Sequence, residues 1–146
     1  GREAKEILER TDQYLGVDIS QEMIRLAQAY VPKGRFEVAD IENYTFPSNL
    51  DLIFSFASLL HSSKESVQEI LRRACASLNT GGVFYISLKY DDYHERSKTD
   101  EFGTRTYYFY TPELIKELAG KNYQTIFEDK QELRGERWFT IALRKV

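Results

Sequence analysis

The stretch YLGVDIS, residues 14–20, decides how the chain is read. Tyr14, Leu15, Val17 and Ile19 are apolar, and residues 13–18 read as a short strand. Asp18 stands near its end, and Ser20 is a good helix N-cap. Met23, Ile24, Ala27, Tyr30 and Val31 then recur at helical spacing. A strand that passes through an acid into a helix raises two questions. One is what the acid holds, and the other is whether this strand-to-helix step repeats along the chain.

It does repeat. Upstream, residues 2–10 read as a helix with Ala4, Ile7 and Leu8 on one face. Downstream, Pro32 and Gly34 punctuate, and RFEVAD (35–40) alternates as a strand. LDLIFSFA (50–57) is apolar enough for a strand covered on both faces. SSKE (62–65) fits a capping box with Ser62 as N-cap and Glu65 at N3. Val67, Ile70, Leu71, Ala74, Cys75 and Leu78 continue it as a helix, which NTGG (79–82) ends. VFYISL (83–88) is a buried-type strand, and 89–106, polar and without a period, reads as the longest loop. TPELIKELAG (111–120) is a helix with Thr111 as N-cap, Pro112 at N1 and Gly120 at C′. Strands at 123–131 and 137–145, joined by ELRGE, close the chain as a hairpin. Alternation of strands and helices predicts an α/β fold with a mostly parallel sheet, and the last two strands must be antiparallel.

Composition narrows the function classes. The 146 residues are 42% hydrophobic with a net charge of −3, which suits one globular domain spanning 1–146. There is no basic footprint for nucleic acid. No apolar run approaches a membrane span, and no signal peptide is present. The single cysteine, Cys75, cannot form an internal disulfide, so a reducing, cytoplasmic setting is expected. Oligomeric state is not readable.

Two acids draw attention. In open α/β sheets, ligands bind beyond the carboxyl ends of strands. Asp18 ends the second strand of such a scheme and can accept hydrogen bonds from two ribose hydroxyls. Asp40 repeats the placement at the end of the next strand, in VADIENYTFP, where it can accept from an exocyclic amine beside the apolar edge of Ile41. The plain alternative for each is a capping or loop carboxylate. Two acids at successive strand ends say more than either alone.

At this point YLGVDISQEMIRLAQ (14–28), FEVADIEN (36–43), LDLIFSFASLLH (50–61) and ACASLNTGGVFYISLK (74–89) together resemble the class I S-adenosylmethionine-dependent methyltransferases, in particular the small bacterial core-domain type. The closing hairpin matches the reversed seventh strand of that fold. The resemblance implies a Rossmann-like, doubly wound sheet, S-adenosylmethionine as cofactor and no metal. It places Gly1, Asp18, Ile19, Met23, Asp40, Ile41 and Ser55 at the cofactor. Gly1 looks like the last glycine of the family's D-x-G-x-G-x-G loop. The first strand and the rest of that loop are absent from the sequence, so weak cofactor binding by a truncated domain is expected.

The same resemblance puts His61, after the fourth strand, near the transferred methyl as a candidate base; a loop histidine near the helix cap is the plainer reading. His94 falls in the polar loop and is expected to be solvated. Tyr107, Tyr108 and Tyr110 in RTYYFYTPE, with Arg137 and Trp138, could wall an acceptor pocket, although strand alternation sends half of such residues into a core. Cys75 is expected in the core. The acidic balance and the lack of an Asn/Asp-Pro-Pro-aromatic motif in FSFASLLH favour a small-molecule acceptor over nucleic acid. A nicotinamide-dependent oxidoreductase would share Asp18 but lacks a Tyr-x-x-x-Lys pattern. A non-catalytic module derived from the fold is the remaining alternative.

Overall fold

The computed structural model describes residues 2–146, so the role expected of Gly1 lies outside the described residues. The chain divides into two compact units, residues 1–44 and 45–146.

The first unit holds α1 (Arg2–Leu8), β1 (Gly16–Asp18), α2 (Gln21–Tyr30) and β2 (Phe36–Val38). β1 and β2 are parallel, with Gly16 opposite Phe36 and Asp18 opposite Val38. A parallel pair needs a crossover, and α2 supplies it. Ser20 starts that helix as read, its Oγ accepting from the Met23 amide at 3.2 Å. The strand is shorter than expected and begins at Gly16. There a Cβ would come within 2.7 Å of the Phe36 ring, which itself meets Tyr14 edge-on at 6.1 Å.

The second unit is built on a four-stranded sheet in the order β3-β4-β8-β7. Its strands are β3 (Leu50–Phe56), β4 (Leu78–Lys89), β7 (Tyr123–Leu133) and β8 (Glu136–Lys145), with helices α3 (Lys64–Ser77) and α4 (Pro112–Ala119). β3 and β4 are parallel, and β8 runs antiparallel to both of its neighbours. The expected α/β, Rossmann-like arrangement with an antiparallel closing hairpin is therefore present. The hairpin turns on Arg134 and Gly135, at φ 54° and 78°. Two consecutive positive φ values mark a type I′ turn, whose twist matches the flanking strands.

The core follows from alternation. Phe84, Ile86 and Leu88 of β4 lie opposite Leu143, Ile141 and Phe139 of β8. All six are buried, as are Val67, Ile70, Leu71 and Ala74 of α3 and Ile115 of α4. The intervening residues Tyr85, Ser87 and Lys89 occupy the other face of the sheet. Lys145, near the end of β8, donates to the carbonyls of Cys75 and Leu78 at 2.6 and 2.8 Å and so satisfies the end of α3.

Several expectations are corrected. Residues 89–106 are not a loop. They extend β4 to Lys89 and form most of an antiparallel hairpin, β5 (His94–Asp100) with β6 (Gly103–Phe109). Its pairing is polar: Ser97 meets Thr106 at 3.2 Å and Thr99 meets Thr104 at 2.9 Å through their hydroxyls. The N-cap of α3 is Ser63, not Ser62, because the Ser62 carbonyl accepts from the buried Tyr110 hydroxyl. The helix stops at Ser77, ahead of NTGG, whose residues already belong to β4. β3 is not covered on both faces: Leu52, Phe54 and Phe56 are 38–48% exposed. Cys75 is half-buried rather than core.

Tyr123 ties β7 to α3, its buried hydroxyl donating to the Leu71 carbonyl at 2.7 Å. Burial, and next the neighbouring Cys75, push that hydroxyl far above the usual tyrosine range. Tyr123→Phe should cost about 1 kcal/mol at neutral pH. The unfolded tyrosine ionises near pH 10 whereas the folded one stays protonated, so wild-type stability falls as pH rises above about 10. The variant lacks that loss. Urea unfolding at neutral and alkaline pH should show the gap between the two proteins narrowing above pH 10; a gap independent of pH would contradict the assignment.

Candidate functional site

In the first unit, Asp18 closes β1, and Asp40 follows β2 by two residues. The Ala39 amide donates to the Asp18 carbonyl at 2.9 Å, so the two acids leave the same end of one parallel pair. Each carboxylate also fixes its own loop. Asp18 Oδ1 accepts from the Ser20 amide at 2.8 Å, and Asp40 Oδ1 accepts from the Glu42 amide at 3.0 Å. These are Asx turns, which fix the direction of the carboxylate. Oδ2 takes no part in either turn. Ile19 and Met23 follow Asp18 and are 67% and 52% exposed, leaving an apolar surface beside the acid. Ile41 is half-buried.

In the second unit, β3 is followed at once by Ala57, a non-glycine residue at φ 62° whose amide donates to the Ser87 carbonyl at 3.0 Å. A left-handed alanine costs about 1 kcal/mol. It turns the chain sharply from the strand into the single helical turn Leu59–His61. There His61 Nδ1 lies 3.2 Å from the Thr106 carbonyl of β6. A carbonyl only accepts, so this bond places the proton on Nδ1 and leaves the lone pair on Nε2. The His61 ring packs on Tyr107 at 5.1 Å.

Tyr107 leads to a residue that sequence reasoning missed. Lys89, the last residue of β4, sets its ammonium 5.5 Å from the Tyr107 ring and 5.8 Å from the Trp138 ring. It also pairs with Glu136 at 3.0 Å. Tyr107 thus links His61 to Lys89, and Lys89 links Tyr107 to Trp138. The strand-end rule that singled out Asp18 and Asp40 would have found Lys89 too, had the strand been carried one residue past Leu88.

The other candidates lie elsewhere. Tyr108 points to the opposite side of β6 and stacks on Tyr93 at 6.1 Å, so it does not join Tyr107. His94 is not simply solvated: it stacks on Phe109 at 4.4 Å, with Nδ1 2.8 Å from the Asp92 carbonyl. Arg137 pairs with Asp91 at 3.3 Å and sits over the Tyr90 ring. Ser55 lies opposite Ile86, hence on the helix-covered face. It is 7% exposed, and its hydroxyl has no partner among the described residues.

Comparison with known proteins bears on this arrangement. A model of a methyltransferase domain matches residues 1–82. A structure of S-adenosylmethionine-dependent methyltransferases from Methanosarcina mazei superposes with a TM-score of 0.77 at 17% identity, covering 90% of this chain and 81% of that one. The Burkholderia thailandensis 1,6-didemethyltoxoflavin-N1-methyltransferase, solved with 1,6-didemethyltoxoflavin and S-adenosylhomocysteine bound, superposes at 0.78 and 22% identity, covering 100% and 67%. A methyltransferase from Mesorhizobium loti gives 0.71 at 18%, covering 90% and 80%. At such identities the likeness is one of fold. No curated protein matches the chain.

The orphaned Ser55 hydroxyl has a measurable consequence for stability. A buried hydroxyl without a partner costs about 1–3 kcal/mol. Ser55→Ala should therefore leave stability unchanged or raise it by about 1 kcal/mol in denaturant unfolding. A loss larger than that would show that the hydroxyl is satisfied.

Proposed function

The chain belongs to the methyltransferase domain family, and from that premise we propose that it binds S-adenosylmethionine and serves methyl transfer to a small-molecule acceptor. The observation that carries the proposal is the pair Asp18 and Asp40, each fixed by its own Asx turn at the same end of two parallel strands.

The residues fit the cofactor's adenosine part by their chemistry. Asp18 accepts from the ribose hydroxyls, and Asp40 accepts from the adenine amine. Ile19, Met23 and Ile41 supply apolar walls; the first two are exposed and gain by being covered. When bound, S-adenosylmethionine supplies a methyl group already activated by its sulfonium, so the protein's main tasks are alignment and proton removal.

In the second unit, His61 Nε2 is the atom that takes the acceptor's proton where the acceptor must lose one. The Thr106 carbonyl holds the imidazole in the right tautomer, and Tyr107 holds its plane. Tyr107 and Trp138 are proposed to face the acceptor, and Tyr108 to support β6 from behind. That the Burkholderia thailandensis enzyme acts on a small heterocycle supports a small acceptor here. Among the described residues no helix is long and apolar enough to cross a membrane. A cytoplasmic setting is proposed from Cys75 alone.

Calorimetry with S-adenosylhomocysteine tests the reading. Asp18→Ala should weaken binding by about 1.5–3 kcal/mol, roughly 10- to 150-fold, as expected for a charged acceptor of hydrogen bonds. Unchanged affinity would reduce Asp18 to a loop acid. Thermal stabilisation by NAD but not by S-adenosylhomocysteine would move the chain to the dinucleotide-dependent oxidoreductases.

A further inference from the structure

Lys89 has an environment that the methyl-donor residues do not explain. It ends β4 beside the parallel strand β3, at the sheet end where ligands of α/β folds sit. Its side chain is only 22% exposed, unusual for a lysine. Two aromatic rings, Tyr107 and Trp138, flank its ammonium at 5.5 and 5.8 Å. Among the described residues its one ion-pair partner is Glu136, which is 55% exposed and sits at the turn of the closing hairpin. An ion pair so open to water contributes little. Another carboxylate could replace Glu136 without leaving the Lys89 charge unpaired.

We propose that Lys89, Tyr107 and Trp138 form an acceptor subsite for a planar aromatic ring that carries a carboxylate. The ammonium binds the carboxylate, displacing Glu136, and the two rings take the planar body. Two flat walls beside one cation suit a flat acid better than a compact anion such as phosphate. His61, packed on the same Tyr107 ring with its Nδ1 held by the Thr106 carbonyl, is the base proposed to serve this subsite. The word acceptor rests on the methyl-transfer reading; binding of an aromatic acid does not.

Trp138 is the chain's single tryptophan, so its fluorescence reports this subsite directly. The probes are 4-hydroxybenzoate, its neutral isostere 4-hydroxybenzamide, and inorganic phosphate. Wild type should show saturable quenching by the benzoate, with the benzamide about tenfold weaker, and no quenching by phosphate. Lys89→Met, with folding checked by circular dichroism, should bind benzoate and benzamide equally. Glu136→Gln, which removes the competing carboxylate, should tighten benzoate binding about two- to fivefold. No saturable quenching, equal affinities in wild type, quenching by phosphate, or a preference that survives in Lys89→Met would each overturn the proposal. Calorimetry with S-adenosylhomocysteine on the same samples separates the two readings. Donor binding without the benzoate preference sinks the subsite alone; the preference without donor binding sinks the methyl-transfer reading alone.

Discussion

The second unit depends on the alternation of side chains along β4. Phe84, Ile86 and Leu88 must go beneath the helices, where Leu143, Ile141 and Phe139 meet them. Each such side chain contributes about 1.5–3 kcal/mol by leaving water. A slip of one residue would bring all three out and drive Lys89 into the core, so the register is firmly set. The face that carries Tyr85, Ser87 and Lys89 is fixed by the same force. Ser87 confirms it locally through its hydroxyl contact with Thr140 at 2.7 Å. Lys89 reaches Trp138 because their backbones are paired in that register. The position of a charged residue is here a by-product of burying its apolar neighbours.

A second tie converts this sheet into a site. Tyr110 is fully buried, its hydroxyl bonds the Ser62 carbonyl, and its amide donates to the Lys89 carbonyl at 3.2 Å. One residue thus joins the end of β4, the end of β6 and the entry to α3. The His61 turn lies just before Ser62 and is held against β6 by Thr106. Nothing in this arrangement relies on a strong ion pair. The charged contacts, Lys89 with Glu136 and Arg137 with Asp91, are partly in water and serve to orient rather than to stabilise.

The elements legible in the sequence were those with local causes. Ser20, Thr111 and Pro112 announced their helices, and Gly135 announced its turn, because capping and positive φ depend on the residue itself. Asp18 and Asp40 were visible because a charge interrupts an apolar run at a strand end. The β5–β6 hairpin was not, since HERSKTD and GTRTYYF carry no apolar period. Hydroxyl pairs and the Arg105–Asp100 ion pair at 2.8 Å hold it instead. The cap of α3 was misplaced by one residue because Ser62 and Ser63 are equivalent locally, and a tyrosine 48 positions away decides between them. Lys89 escaped because the strand was ended at Leu88, where the apolar pattern stops. The backbone continues one residue further, held by β8.

The β5–β6 hairpin leaves and rejoins the sheet at Tyr90 and Tyr110, whose backbones are bridged. An excursion whose two ends are already pinned together can change length cheaply: each doubling of a flexible loop adds only about 0.6 kcal/mol of closure entropy. Because β6 supplies Tyr107 and the carbonyl that orients His61, the part of the molecule nearest the proposed acceptor belongs to an excursion paired with itself rather than with the main sheet. Divergence among descendants of this chain can therefore rewrite which molecule is modified, by insertion or exchange within this excursion, while Phe84, Ile86 and Leu88 stay as they are.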